Sequence, residues 1–350
     1  MQKIISMCFP IYNRIETFKY TFKKTMDEVI KLNSDEIEVV VSVNPEEHTI
    51  EETKKFLDEM QKRTKMVINI NETNKGIIGN GRKVFEIATG KYIWMIGDDD
   101  FLLPNCLERV LRVTKQHPDL GWIHLEHARL DGYPNDEQSR VILLSDDLFD
   151  KKGYFPNGKE IVIEAHNQMG ANVLFSSTNI YLRDAWEEIA REYEAGNPQL
   201  AATFYAASKG GAYLDDSISI VAGGERSWNS HADYSIAINY FEGMYYTIGF
   251  GFSKEEIDLM IGYTMRHEKL LVWFRACRLL LKNRKLGKRA FSFYFDVMPI
   301  QTIVTMAFLP LIGGYLCFRR TYRKYRRKQA CKHYASLVDA DPYIVSRLIY

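Results

Sequence analysis

Over the first hundred residues, short apolar runs alternate with stretches in which apolar side chains return every three or four positions. Runs of the first kind predict strands buried on both faces and stretches of the second kind amphipathic helices, so the pattern is that of a largely parallel sheet with helical crossovers. Ile4-Ile5-Ser6-Met7-Cys8-Phe9 predicts a first strand ended by Pro10. Phe18, Phe22, Met26, Val29 and Ile30 set a helix over residues 15–32, and the nearly unbroken β-branched run 37–43 sets a second strand. Residues 49–63 predict a charged helix, 67–70 a third strand, 84–88 the end of a helix closed by Gly90, and 92–96 a fourth strand. Beyond Pro104 the expected order is helix 105–117, strands 121–126 and 173–182, helix 200–208 and strand 213–221. The polar interval 131–167, dotted with Gly and Pro, reads as irregular loop.

After residue 253 only helical periodicity remains, first over 255–282. Residues 297–318 then carry no charge at all, enough for a helix of about 33 Å. Charge changes the picture here: the net +1 conceals that residues 275–338 hold 15 of the 46 Lys and Arg residues but only Asp296 among the 45 acids. Such a basic appendage suits an anionic surface, either a membrane or nucleic acid. The basic residues bracket an apolar block and are not interleaved with a stacking platform, which favours the membrane and argues against nucleic acid. Pro299, Gln301, Pro310 and Gly313-Gly314 interrupt the block, and both flanks are basic. A broken helix or hairpin dipping into one leaflet from the cytosolic side satisfies both facts; a single span and a buried soluble helical pair are the alternatives. The five cysteines are widely spaced and form no C-x-x-C pair, so neither a disulfide framework nor a zinc site is indicated and a reducing compartment fits. Residues 1–10 read as a strand, not as a secretory leader.

Candidate chemistry gathers at the end of the fourth predicted strand, where Asp98, Asp99 and Asp100 follow one another. In open α/β sheets ligands collect at the carboxyl ends of strands. Three adjacent carboxylates repel unless a cation joins them, and a hard ion such as Mg²⁺ or Mn²⁺ takes one or two carboxylates and leaves its other positions to phosphate oxygens. A solvated turn that caps the next helix is the plainer reading of the same three residues.

The surroundings of the triplet carry a resemblance. Residues 88–104, ATGKYIWMIGDDDFLLP, look like the strand and metal motif of the family 2 glycosyltransferases, and Cys8-Phe9-Pro10-Ile11-Tyr12-Asn13-Arg14 resembles that family's first strand and nucleotide loop. Asn74-Lys75-Gly76, with Asn80 and Arg82 beyond, is similar to its Asn-x-Gly segment, and residues 170–186 resemble the acceptor-side strand of bacterial surface-polysaccharide members. The resemblance implies an α/β fold of the GT-A type, a nucleotide-diphosphate-sugar donor, a divalent Mn²⁺ or Mg²⁺ ion and inverting transfer. Carried over, it puts Pro10, Tyr12 and Arg14 around the base and ribose, and Asn80 and Arg82 near the diphosphate. Asp99 becomes the main metal ligand, with Asp98 and Asp100 contacting ribose, metal or ordered water.

Two departures qualify the match. The family's base-holding Asp at the end of the second strand corresponds here to Val43, leaving Asn44 as a neutral reader of the nucleotide, and its first metal-motif Asp aligns with Gly97. The catalytic base is harder to find, because the stretch before the 200–208 helix reads Gly196-Asn197-Pro198-Gln199 and holds no acid. Inverting transfer needs a proton acceptor. Glu194 lies just upstream and Asp215, Asp216, Glu225 and His231 downstream, none singled out by spacing, and Glu194, Glu225 and His231 are taken as the candidates. Residues 223–231 form a glycine-hinged loop suited to a lid, from which Arg226 would neutralise the leaving diphosphate and His231 would approach the metal or the phosphates.

The expected organisation is therefore a glycosyltransferase domain over 1–250, with a nucleotide-sugar half 1–126 and an acceptor half with lid 127–250, followed by a helical membrane-associating module over 251–350. The expected function is sugar transfer to a glycan or polyprenyl-linked glycan acceptor at the cytoplasmic face of the inner membrane. A catalytically silent relative that binds a nucleotide sugar or glycan, and a soluble transferase acting on protein, are the competing readings.

Overall fold

The structure is a computed structural model that describes residues 3–142, 149–193, 198–223, 240–267 and 283–297, together with Leu280 and Arg347. Its strands are β1 (Ile5–Ile11), β2 (Ile37–Val43), β3 (Val67–Ile70), β4 (Tyr92–Met95), β5 (Phe101–Leu102), β6 (Leu120–Leu130), β7 (Val141–Ile142), β8 (Gly153–Phe155), β9 (Asn179–Leu182) and β10 (Gly211–Ala222). All ten join one mixed sheet, in the order β3-β2-β1-β4-β9-β6-β10-β5, with β7 added at β6 and β8 at β10. The first half is parallel, as the apolar runs require. β9 lies antiparallel between β4 and β6, so β6 recovers the direction of β4, and β10 is parallel to β6. The carboxyl ends of β1, β2, β4, β6 and β10 consequently open on one edge of the sheet.

Side chains alternate across each strand, and here the alternation feeds two cores. Ile5, Met7, Phe9 and Ile11 of β1 meet Phe18, Phe22 and Met26 of α1 (Ile15–Leu32), Phe56, Leu57 and Met60 of α2 (Ile50–Gln61), and Leu107 and Val110 of α4 (Cys106–Gln116). On the other face Cys8, Ile93 and Trp122 meet α3 (Gly76–Glu86), α5 (Gly158–Met169), α6 (Arg183–Glu192) and α7 (Pro198–Lys209). Each fully buried Phe, Leu or Met contributes roughly 1.5–3 kcal/mol, which makes these two layers the bulk of the fold's stability.

The structure corrects several expectations. β1 runs through Pro10 to Ile11, because Pro10 faces the β4 side two residues beyond Cys8, whose partner Met95 is the last residue of β4. Its missing N–H therefore falls where β4 has already left the ladder. The interval 131–167 is not all loop: α5 forms over its last third, capped by Asn157, whose side chain accepts from the Glu160 N–H. Its polar composition conceals a buried stripe of Ile161, Val162, Ala165, His166 and Met169. Of the strand expected over 173–182, only Asn179–Leu182 is extended, after short 3-10 turns at Gly170–Leu174 and Ser176–Thr178. Helix α6 was not anticipated by periodicity at all.

After residue 240 come α8 (Tyr240–Tyr245), α9 (Lys254–His267) and α10 (Arg284–Val297). Phe241, Met244, Ile257, Met260, Ala290 and Tyr294 from these helices join the core that α5 and α7 build. The described part of the expected C-terminal module thus packs on the sheet domain. The apolar block from residue 298 onward lies outside the described residues, and among the described ones no helix is long and apolar enough to cross a membrane.

Candidate functional site

The aspartate triplet sits where β4 leaves the sheet on its carboxyl edge. Ile96 still donates to the Cys8 carbonyl (2.9 Å), after which Gly97 to Asp100 make a turn closed by the Asp100 N–H on the Gly97 carbonyl (3.1 Å). Helix α1 holds this turn with a polar stripe at helical spacing. Thr21 Oγ1 donates to the Asp98 carbonyl (2.9 Å), Thr25 Oγ1 accepts from the Leu102 N–H (3.3 Å), and Glu28 accepts from the Asn105 N–H (2.6 Å). Behind the turn, Trp94 Nε1 donates to the Ser177 carbonyl (2.8 Å).

Arg14 is brought onto the same point from the end of β1. Asn13 adopts a left-handed backbone, φ 51°, which asparagine tolerates better than most residues, and this bend turns Arg14 back across the strand ends. Its guanidinium forks onto Asp98, with Nη2 on Oδ1 and Nε 3.3 Å from Oδ2, while Nη1 reaches Asp99 Oδ2 at 2.8 Å. Arg14, expected at the base and ribose, is paired here with the acidic motif. Burial opposes its charge, but Asp98 and Asp99 outweigh burial and hold the guanidinium more firmly protonated than usual.

Asp100 turns away from this pair. It accepts from Ser177 Oγ and from the Gly223 N–H (3.1 Å). Burial lifts Asp98 to about 6 in spite of Arg14, and lifts Asp100, with Asp99 beside it, to about 8. Gly97 explains the departure from the family pattern: a β-carbon there would stand 2.6 Å from Asp100 Oδ2, so a side chain would displace the carboxylate from its place over the turn.

The donor set suits a hard divalent ion. Asp98 and Asp99 offer carboxylate oxygens on one side of the turn, and a cationic group already stands there in the form of the guanidinium. No three acidic, His or Cys side chains converge on one point among the described residues. The fit is therefore to a two-carboxylate platform whose remaining positions go to substrate phosphate and water, with Asp100 as a brace and not a third ligand.

Just past the end of β1, Tyr12 is 39% exposed. Pro10 is paired with Ser42 in the sheet. Asn80 sits below and is 2% exposed. Its amide donates to the Ile11 and Ser42 carbonyls (both 3.1 Å) and accepts from Ser42 Oγ (2.8 Å) and Asn71 Nδ2 (2.9 Å). Asn44 accepts from the Lys75 N–H (3.1 Å) and Asn71 Nδ2 (3.0 Å) and donates to the Gly76 carbonyl (3.1 Å). Asn44 thus ties the end of β2 to the turn at Gly76, and Asn80, within α3, ties that helix to the ends of β1 and β2. Arg82, expected near the diphosphate, instead donates to the carbonyls of Ala190 and Tyr193 at the end of α6. Val43 is buried in the α1 face of the core, which accounts for the missing carboxylate there.

Across the sheet edge from Arg14, the carboxyl end of β6 contributes residues that no motif flagged. Arg129 pairs in register with Ala222, one residue before the Gly223 that caps Asp100. The Arg129 guanidinium and the His127 ring both lie against Phe175, at 5.7 and 4.9 Å. Burial holds His127 neutral, well below the usual histidine range. Glu126, 1% exposed, is paired with Lys152. Gln199 at the start of α7 is packed against Gly81 of α3, where a β-carbon would stand 2.6 Å from its Nε2. Asp215 is bound to Arg109 and Ser219 on the far face. Glu194, Glu225, Arg226 and His231 lie outside the described residues. The strand expected over 121–126 stops short of His127 and Arg129, and nothing in the sequence singles them out.

Comparison with known proteins bears on the family and the fold. The model of glycosyl transferase family 2 matches residues 6–189. An uncharacterized glycosyltransferase of Methanocaldococcus jannaschii is 28% identical over 127 residues, 35% of this chain and 42% of the relative, so the match spans less than half of that protein's length. Among solved structures, TarS residues 1–349 of S. aureus in complex with UDP-GlcNAc superposes with a TM-score of 0.59 at 13% identity, covering 95% of this chain and 92% of the other. A mannosyltransferase of Pyrobaculum calidifontis, solved with GDP-Man and Mn²⁺, superposes with a TM-score of 0.54 at 11% identity over 97% and 89% of the two chains. At such identities these structures establish the shared fold.

Proposed function

Since the chain belongs to glycosyl transferase family 2, whose model spans more than half of it, we propose that it moves a sugar from a nucleotide-diphosphate donor to a glycan or lipid-linked glycan acceptor, with inversion at the anomeric carbon. The observation that carries this reading is the pair Asp98 and Asp99 at the carboxyl edge of the sheet, already joined by a cation. Asp99 and Asp98 would hold Mn²⁺ or Mg²⁺, and the ion would supply charge neutralisation to the departing diphosphate. The TarS structure with UDP-GlcNAc and the mannosyltransferase with GDP-Man and Mn²⁺ support a donor of this class.

The chain's own residues would divide the work as follows. Tyr12 and the turn held by Asn44 border the base and ribose. Asn80 keeps that turn rigid from below. His127, Arg129 and Phe175 wall the acceptor side, with the base to be sought in Glu194, Glu225 or His231 and diphosphate neutralisation in Arg226. The acceptor hydroxyl must lose its proton as it attacks, so the base residue decides turnover.

We assign the membrane surface as the place of action, with the GT-A domain over 1–250 and membrane association in 251–350. Arg284, Lys285 and Lys288 are exposed on α10 while Ala290 and Tyr294 are buried. A basic face of this kind gains about 1 kcal/mol per residue near an anionic bilayer. A role in bacterial surface-polysaccharide assembly follows from that placement and from the resemblance of residues 170–186.

A second reading, a silent relative that binds donor without turnover, is favoured by Gln199, an amide at the start of the helix where the family commonly has an acid. The two separate in one experiment. Thermal shifts with UDP-, GDP-, CDP- and dTDP-sugars, with and without Mn²⁺, identify the donor through mass action, and donor hydrolysis is then followed. Metal-dependent hydrolysis abolished in Asp99→Ala supports the transferase; donor binding without any turnover supports the silent relative; no donor binding at all refutes both.

A further inference from the structure

Three of the four carboxylate oxygens that Asp98 and Asp99 offer are engaged by one guanidinium. A divalent ion sits on carboxylate oxygens at about 2.0–2.1 Å. Each oxygen keeps a second lone pair for an N–H donor, but a guanidinium forked across Asp98 and reaching Asp99 holds its own positive charge where the dication would stand. Arg14 and the ion therefore compete for the same place. Two carboxylates and one guanidinium leave one net negative charge, which is a poor site for a dication that must also stand beside the guanidinium. A diphosphate reverses the balance. Its oxygens accept paired N–H bonds from Arg as well as a carboxylate does, and its charge screens the two cations from each other.

The position of Arg14 suits such an exchange. It lies at the junction of β1 and α1, where no side chain caps the helix, and its own side chain is 18% exposed. Tyr12, two residues earlier, is 39% exposed, so the junction borders solvent. A side-chain rotation would carry the guanidinium from the carboxylates toward solvent, while Thr21 and Thr25 keep the acidic turn in place on α1.

We propose that Arg14 is a latch on the metal platform: it holds Asp98 and Asp99 in the donor-free protein, yields them to the divalent ion only when a diphosphate takes its guanidinium, and so couples metal binding to donor binding. This rests on the metal-assisted reading above and adds an order to it. Metal and donor enter together, and the empty protein discriminates against free divalent ions.

Calorimetric titration of the full chain tests the latch without turnover, using Mn²⁺ alone and then the preformed Mn²⁺–pyrophosphate complex as probes. Wild type is expected to bind the complex roughly tenfold or more tightly than Mn²⁺ alone. Arg14→Gln is expected to bind Mn²⁺ alone roughly tenfold more tightly than wild type, so that the gap narrows. Arg14→Lys, a point charge that does not span both carboxylates, falls between the two and carries the test if the glutamine variant fails to fold. Equal or weaker Mn²⁺ affinity in the variants, or a gap that persists undiminished, overturns the latch and leaves the metal platform standing. No uptake of Mn²⁺ in either form by wild type or variants overturns the platform and the latch together.

Discussion

A β-carbon at Gly223 would stand 2.7 Å from the Asp99 β-carbon and 2.8 Å from its carbonyl oxygen. Both atoms are fixed by backbone, so the substitution must shift the acidic turn itself. Gly223→Ala is expected to leave the circular dichroism spectrum unchanged and to lower donor turnover by roughly 100-fold, the usual cost of misplacing a reacting group by about an ångström. Wild-type turnover in that variant would mean the turn is softer than drawn here. Asn80 calls for the opposite experiment. Its amide has two donors and two acceptor contacts, all met by protein, so Asn80→Ala leaves buried partners unsatisfied. A loss of about 3 kcal/mol in urea unfolding is expected, with donor affinity of the folded fraction little changed; a selective loss of affinity would return Asn80 to the diphosphate.

Among the elements, α1 has two faces with different tasks. Phe18, Phe22 and Met26 pack the sheet, and Thr21, Thr25 and Glu28 hold the segment from Asp98 to Asn105. Thr21→Val keeps the volume and removes the hydrogen bond to the Asp98 carbonyl. Its expected cost is about 1 kcal/mol in unfolding, with a disproportionate loss of Mn²⁺-dependent donor binding in thermal-shift titration. Equal small losses in both would reduce α1 to a packing element. The antiparallel β9 has a comparable part on the other side: its insertion between β4 and β6 brings the Ser177 turn under Asp100 and sets Trp94 and Ile123 level on either side of Ile180.

For the molecule as a whole, three buried histidines set the response to acid. Burial lowers His124 and His166 from 6.5 to about 4 and holds His127 well below the usual histidine range. Between about 6.5 and 4 the unfolded chain takes up protons that the folded chain refuses, so this contribution to stability is complete above about 6.5 and is lost on acidification through that window. Asp98 and Asp100 act in the opposite sense, since their raised values favour protonation of the folded state. The histidine share is isolated by comparison: the urea midpoint of wild type, followed from pH 7 to pH 5, should fall more steeply than that of His124→Asn. Parallel slopes would show that His124 is not buried in its neutral form.

The sequence by itself determined the alternation of strand and helix up to residue 126, the parallel half of the sheet and the placing of three aspartates at a strand end. Each of these depends on periodicity or on neighbours a few positions apart. It could not determine that 158–169 is a helix, because the stripe that buries α5 includes His166, which reads as polar until the core around it is known. Nor could it assign partners to Arg14, Asn80 and Arg82, whose contacts lie 84, 38 and 111 residues away. All three match a motif, yet one became a counter-ion, one a brace beneath the strand ends and one a clasp on α6. Hydrogen bonds and ion pairs act over about 3 Å, so which groups meet at that range was decided only when β9 reversed, α1 crossed the sheet and the strand ends came to share one edge.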